Sequence, residues 1–495
     1  MMQTSKKQKN IEIAKSVILV VLFLSTILLL YGFWWNVKPM EIGLDAIGSQ
    51  NTSYESLRPQ EVIAPSILEI SYGDGRYGVI NGDTRKYWWN KQGLSITGGM
   101  KDFFAAGNIF VEAITKDQYR EVLASESLKV VFDYNLPLGD TFKLYGIFRP
   151  SGLANISNIN EIAYSFGSME SLFIYDGKQE SYYRIVGEGD FLESKTFTTI
   201  YLDLTESAYI AYPLYKMIGD ETTNATLVPL PTEFSYTIST YNNERLLGPR
   251  DFEKTLAKTF FGETFDFTRV IEDAKGNVTY MYGYGERVFV ADRDGSFRYK
   301  REGGSKTSTS DISSLEMALD FIALHGGTQN SLGDQVEIRL FKVKREDGRP
   351  PKITFYFQIQ KETGVLYEQG AAFIVECSGD TVTGFSRDLF IEDDIQSRTL
   401  SAGEYTAVNV LAKNYEEMAQ ILETQGFIKN KGDKAFEKVT DEIKGIRLVK
   451  TRFAKTEEGL GKLETCWSFS FRKNGQIIEF YYSIRDALPM GYSVR

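Results

Sequence analysis

The sequence predicts an α+β protein: one N-terminal transmembrane helix, then β-rich extracytoplasmic domains that include repeated helix-on-antiparallel-sheet units. Three observations point there. Val17 to Trp35 contains no charged residue. Aromatic residues make up 14% of the chain, mostly Tyr and Phe, the types that strands favour. The order helix, strand, strand, Gly-containing hairpin, strand occurs twice in the second half, and each such unit can bury a helix face on an antiparallel sheet.

An uncharged run of roughly 18 to 20 apolar residues is long enough to cross a bilayer as a helix. Lys6, Lys7, Lys9 and Lys15 precede the run, offset only by Glu12, and Tyr31, Trp34 and Trp35 close it. Basic residues stay on the cytoplasmic side and aromatic residues sit at the interface. The expected placement is a single-pass protein of the cell membrane, with a cytoplasmic N-terminus and an extracytoplasmic main body. A cleaved signal peptide has a shorter apolar region, about 7 to 15 residues, and small residues at its cleavage site. Here the run ends in bulky Phe33, Trp34 and Trp35. Helices pack in lipid through small and hydroxylated residues. Ser25 and Gly32 share one side of the helix with Ile18, Leu22 and Leu29, and this stripe is the candidate transmembrane interface. Ser and Gly are also common in membrane helices that pack against nothing.

The length of 495 residues suits several domains. The expected division is 1–36 for tail and anchor, 37–245 for a β-rich domain with its tether, 246–395 for a middle α+β domain and 396–495 for a C-terminal one. Asn36 to Gln60 reads as the tether. Val62 to Ile70 reads as an extended entry to the first domain. Gly73-Asp74-Gly75-Arg76-Tyr77-Gly78 fits the dinucleotide pattern G-x-G-x-x-G, but strand and turn residues follow it where a helix is required. A hairpin is expected there instead. Helices are expected at Met100 to Ala106 and Lys116 to Ser125. Strands are expected at Leu128 to Tyr134, Ile162 to Tyr164, Ser171 to Tyr175, Ser181 to Ile185 and Thr196 to Leu204. Asp176-Gly177 suits a tight turn.

Beyond Leu246, Phe252, Leu256 and Phe260 at helical spacing predict a helix from Asp251 to Phe261. Strands follow at Phe267 to Glu272, Val278 to Tyr284, Glu286 to Ala291 and Ser296 to Arg301. Asp292-x-Asp294-Gly295 has the start of a calcium loop but lacks its further acids, so a hairpin turn is expected. In the repeat, Ser313-x-x-Glu316 and Ser401-x-x-Glu404 read as capping boxes that open two helices. The second helix is expected to break near Asn414. Val336 to Lys344, Ile353 to Gln360 and Val365 to Glu368 follow the first helix; Ile446 to Phe453, Cys466 to Phe471 and Gln476 to Ile484 follow the second.

A net charge of −10 argues against a nucleic-acid partner, since phosphate binding needs clustered Lys and Arg. The single histidine, His325, leaves no ordinary Ser-His-Asp or Cys-His arrangement unless it is the base. Its place before Gly326-Gly327 suits a C-terminal cap facing the negative end of a helix dipole. Cys377 and Cys466 either form one disulfide or stay buried as small hydrophobes. No P-loop and no H-E-x-x-H occurs. Glu392-Asp393-Asp394 reads as a solvated loop. Tyr87-Trp88-Trp89 reads as core, with a partner or carbohydrate surface as the alternative. No catalytic, cofactor-binding or metal-binding residues are assigned, and no cofactor is expected.

Several stretches resemble the YycH family of membrane-anchored regulators, and its shorter relative YycI in the last half. They are Glu61 to Ile70 with Ala64-Pro65-Ser66, Lys129-Val130-Val131-Phe132 followed by Leu136-Pro137-Leu138, Tyr280 to Tyr299, and the helices expected at Ser313 and Ser401. The resemblance implies a non-enzymatic regulator of the WalK-type sensor histidine kinase, a two-component system that controls cell-wall metabolism. It implies contact with the kinase inside the bilayer, and a YycI-like co-regulator as a further partner. The alternatives are an extracytoplasmic binding module for a small ligand, peptide or wall polymer, and an anchored hydrolase with an unrecognised site.

Overall fold

The computed structural model describes residues 56–494, apart from 81–83, 91–93, 106–108, 167–170, 188–194, 220–223, 231–232, 305–309, 349–350, 362–363, 366–370, 402–405, 430–433, 454–455, 457–458 and 474–475. The segment Val17 to Trp35, with its stripe of Ile18, Leu22, Ser25, Leu29 and Gly32, lies outside the described residues. Among the described residues no helix is long and apolar enough to cross a membrane.

The first sheet begins with the expected hairpin. Strands β1 (Ile67–Tyr72) and β2 (Tyr77–Ile80) pair with Ser71 opposite Tyr77, and Gly73 and Gly75 supply the positive φ angles of the turn. Then come α1 (Thr84–Asn90), α2 (Ile96–Ala105), β3 (Ile109–Ile114), α3 (Lys116–Ala124) and β4 (Glu126–Pro137). Thr115 caps α3 by a reciprocal pair of bonds with Gln118, 3.2 and 2.8 Å long. Pro137 leads into α4 (Leu138–Leu144), which is followed by β5 (Asn158–Ser165), β6 (Ser171–Asp176) and β7 (Ser181–Gly187). Asp176 and Gly177 start the turn between β6 and β7, as expected. After α5 (Lys195–Ser207) come β8 (Tyr209–Pro213) and β9 (Leu227–Pro229). The antiparallel sheet runs β3-β7-β6-β5-β4-β1-β2-β8-β9.

The expected strand at Thr196 to Leu204 is helix α5 instead. Its threonines favour a strand locally, but Phe197, Ile200, Tyr201 and Leu204 recur at helical spacing and all are buried against the sheet. Tertiary burial decides the outcome. Trp88 and Trp89 are core residues: Trp89 meets Phe132 edge-on at 5.0 Å and donates to the Tyr145 hydroxyl at 2.9 Å.

Strand β10 (Glu233–Asn243) leaves the first sheet and pairs with β20 (below). A helical turn, Glu244–Leu247, and α6 (Phe252–Phe261) follow, then the meander β11 (Arg269–Glu272), β12 (Val278–Tyr282), β13 (Arg287–Ala291) and β14 (Phe297–Arg301). Asp292 and Asp294 serve the β13–β14 turn, where Asp292 accepts from Arg298 Nε at 2.7 Å and Gly295 takes a positive φ. Helix α7 (Asp311–Leu324) precedes β15 (Glu337–Glu346), β16 (Lys352–Lys361), β17 (Gly364–Val365), β18 (Phe373–Ser378) and β19 (Thr381–Arg387). β14 pairs with β19, so two helix-plus-meander units join through their last strands in one sheet, β11-β12-β13-β14-β19-β18-β16-β15. The order of helix then antiparallel meander thus also occurs earlier, in α6 and β11–β14, while of the expected strand Val365 to Glu368 residues 366–368 lie outside the described residues.

The last unit is β20 (Phe390–Ser401), α8 (Ala407–Thr424), α9 (Ala435–Glu442), β21 (Ile443–Phe453), β22 (Gly461–Lys473), β23 (Gln476–Ser483) and β24 (Pro489–Val494). Its sheet runs β20-β10-β22-β23-β24, with β21 also on β22. The helix starts differ from expectation. Ser310, not Ser313, caps α7, accepting from Ser313 N at 3.2 Å. Thr406 caps α8, while Ser401 ends β20. Helix α8 does not break at Asn414, because the Asn414 amide is buried and donates to the Val410 and Ala487 carbonyls at 2.9 and 3.0 Å. Glu392 is no solvated loop residue; it lies on β20, paired with Lys450 and Ser239.

The first two sheets share one continuous apolar core. The third has its own, built on Val410, Leu411, Met418, Trp467 and Phe480. The two cysteines are buried free thiols, Cys377 on β18 and Cys466 on β22. Asn224, in an Asn-x-Thr sequence, is buried and donates to the Ile443 carbonyl at 2.7 Å, so its amide is committed to the fold.

His325 ends α7, but not as a charged cap. Its ring stacks on Phe260 at 4.2 Å and packs against Phe321, with Nδ1 3.0 Å from the Thr259 hydroxyl. Burial pushes its pKa down to about 3, so the ring is neutral at pH 7. In the unfolded chain it titrates near 6.5. The unfolded state therefore binds the extra proton first, and stability falls as pH drops below about 6.5 towards 3. His325→Phe is expected to flatten that slope while keeping the stack, and His325→Ala to lose roughly 1 kcal/mol or more of stacking. Thermal melts of the three proteins across this pH range check both.

Candidate functional site: a charged cleft where three sheets meet

Alternate residues of β1 and β4 point to opposite faces of the first sheet. Leu68, Ile70, Leu128, Val130 and Phe132 face the core. Ile67, Glu69, Lys129, Val131 and Asp133 face a cleft of about 940 Å³. Helix α3 contributes Lys116, Tyr119 and Arg120 to its wall, the edge strand β15 adds Phe341, Lys342 and Val343, and β21 to β23 close it with Arg447, Arg472 and Glu479.

Asp133 is the hinge of this arrangement. Between Val131 and Leu136 the pairing of β4 with β5 loses register, so Asp133 stands in a bulge. Its Oδ2 accepts from Arg339 of the second sheet at 3.0 Å, and Oδ1 from Arg447 of the third at 3.2 Å. Arg472, also of the third, donates to its backbone carbonyl at 3.2 Å. Burial alone would raise the Asp133 carboxyl, but Arg447, Arg339 and Arg472 outweigh it and hold the group well below the usual carboxylate range. Arg447 also reaches Glu479 at 3.4 Å, and Glu479 accepts from Ser468 at 2.5 Å. Thus all three sheets meet on one carboxylate.

Further along the floor Glu69 and Lys129 form a cross-strand ion pair. Burial would lower the Lys129 ammonium, but Glu69 and Glu161 pull it up, so it stays charged. Tyr119 donates to Glu161 at 3.0 Å. Tyr175 and Tyr182 stack at 4.5 Å, and burial pushes the Tyr182 phenol up to about 12. Asp133 and Lys129 therefore stay charged at pH 7, and Tyr182 stays neutral. Such groups can bind and orient a ligand.

The sequence reading assigned a functional role to none of the cleft residues, although Lys129 and Val131 lie in a stretch that carries the resemblance. Asp133, Arg339 and Arg447 each sit among apolar strand residues, and that interruption is the signal that could have marked them. His325, Cys377, Cys466 and the Tyr87-Trp88-Trp89 cluster are absent from the cleft lining.

No family model matches the chain, and no curated protein matches it. Among solved structures, the crystal structure of YycH from Bacillus subtilis superposes with a TM-score of 0.52 at 12% identity, covering 89% of this chain and 99% of that one. The C-terminal domain of YpeB from Bacillus megaterium aligns with 50% of this chain and 97% of its own at 11% identity, with a TM-score of 0.26. With helices laid on antiparallel sheets along nearly the whole of the superposed length, this chain has a YycH-like fold.

Proposed function

We propose that this protein is a membrane-anchored, non-enzymatic extracytoplasmic regulator of a two-component sensor histidine kinase that controls cell-wall metabolism. It acts through protein–protein contacts, with a YycI-like protein as co-regulator. The observation that supports this most is the YycH-like fold over 89% of the chain. The uncharged run Val17 to Trp35 supplies the anchor that such a role needs. An extracytoplasmic binding module is the second reading, and the cleft at Asp133 favours it.

The anchor carries a direct test. Leucine at Ser25 and Gly32 removes the small residues that permit close helix approach. The variant Ser25→Leu with Gly32→Leu is expected to insert normally and to lose most crosslinking to the kinase. Leu30→Ala, on the opposite side, is expected to crosslink like wild type. Equal crosslinking in the double variant and wild type would remove the helix face from the mechanism.

A further inference from the structure

The cleft at the three-sheet junction has a charge bias opposite to that of the whole chain. Nine Lys and Arg line it against six Asp and Glu, in a protein of net charge −10. The bias is greatest where α3 faces β21. Among the described residues Lys116 pairs with no acid, Arg120 is 4.0 Å from Asp117, and Lys444 is 3.8 Å from Glu442. Partial burial lowers the Lys444 pKa most; Glu442 opposes this, and the like charges of Lys116 and Arg120 add to it. Lys116 and Arg120 of α3 and Lys444 of β21 lie close enough to repel, and these cations outnumber the acids that pair with them.

Deeper in, Arg472 lines the cleft beside Asp133. The remaining wall is mixed: Val131 and Val343 are apolar, while Glu69, Glu161 and Glu479 would repel a densely charged polyanion. The complementary ligand therefore carries a few carboxylates spaced among apolar groups.

We infer that the cleft binds an acidic peptide segment of a partner protein, its carboxylates meeting Lys116, Arg120, Lys444 and Arg472 and its apolar side chains meeting Val131 and Val343. Arginine holds a carboxylate through two parallel N–H donors, and the outer lysines draw the segment in. The site goes beyond the kinase reading, which rests on the fold and the anchor, and its failure would leave that reading in place.

The test uses the full-length chain in mild detergent and a fluorescein-labelled octapeptide of alternating Glu and Leu, followed by anisotropy. Saturable binding is expected that weakens with salt. A Gln/Leu octapeptide is expected to bind roughly tenfold or more weakly, a difference of about 1.4 kcal/mol. Lys116→Glu, Arg120→Glu and Lys444→Glu together are expected to give a similar loss. All three side chains reach solvent and their ion pairs are surface pairs worth little, so the melting curve is expected to shift only slightly. Arg472→Gln is expected to weaken binding as well. Absence of saturation at about millimolar peptide, or equal affinity in the triple variant, would overturn the site. Tighter binding of inorganic polyphosphate than of the Glu/Leu peptide would overturn the assignment to peptide.

Discussion

Asp133→Ala is expected to lower stability by about 3–5 kcal/mol and to loosen the third sheet before the other two. Removing one member of a buried charge network leaves the others unpaired, and that penalty sets the magnitude. Here Arg339, fully buried on β15, loses its carboxylate while keeping Gln358, and Arg447, buried on β21, keeps Glu479. The first two sheets share one apolar core, whereas most of the third sheet's apolar residues belong to a separate cluster. Polar contacts at Asp133, with those of Asn224 to Ile443 and of Arg452 to Asp388, therefore help to hold the third sheet in place. Denaturant midpoints measure the loss, and hydrogen exchange is expected to rise first in Ile443–Phe453 and Gly461–Lys473. A midpoint unchanged in Asp133→Ala would mean that the apolar contacts suffice.

The same carboxylate sets an acid limit. Its folded pKa lies below the value near 3.9 of an unfolded Asp. The stabilisation is therefore complete above about pH 4 and is lost as pH falls from there towards the folded pKa. Asp133→Asn should show a shallower loss over that range than wild type, because the ionisation is gone in both states.

Local pattern carried most of the architecture, and non-local pairing carried the site. Phe252, Leu256 and Phe260 lie on one helix face whatever surrounds them, and α6 forms where that spacing predicts. At Thr196 to Leu204 two local signals conflicted, and only the sheet beneath Phe197 and Leu204 decides between them. The cap of α7 was displaced for a related reason. Ser310 and Ser313 both offer a hydroxyl, and only backbone geometry tells which one accepts. The cleft is a different matter. Asp133 meets Arg447 across 314 positions of sequence, and the β4 bulge that presents it arises from register with β5. Periodicity in a single strand cannot encode the register of its partner. The Arg387–Glu244 pair is also distant in the chain, at 143 positions, and was equally invisible.

Arg387→Met is expected to be more damaging than the double variant Arg387→Met with Glu244→Leu. Both side chains are essentially inaccessible to water. Arg387 Nε and Nη2 donate to the Glu244 carboxylate at 3.1 and 2.9 Å, a bidentate pair. Nη1 also reaches the Gly327 carbonyl at 2.8 Å, and Nη2 that of Gln329 at 2.5 Å. The guanidinium thus ties β19, the Glu244–Leu247 turn and the loop after α7 together. Burial pushes the Glu244 carboxyl up from its ordinary range even though Arg387 pulls it down. Without Arg387 that carboxyl takes a proton or destabilises the fold, and the carbonyls of Gly326, Gly327 and Gln329 lose a charged donor. A cost of about 3–5 kcal/mol follows for the single variant. Lysine cannot reproduce the planar fork, so Arg387→Lys should recover little of it. In the double variant no charge is left behind, and apolar replacements of a buried pair are often tolerated. The comparison is a double-mutant cycle on urea midpoints, with an expected coupling of at least roughly 1 kcal/mol. Additive losses would show that Arg387 acts through the loop carbonyls and not through Glu244.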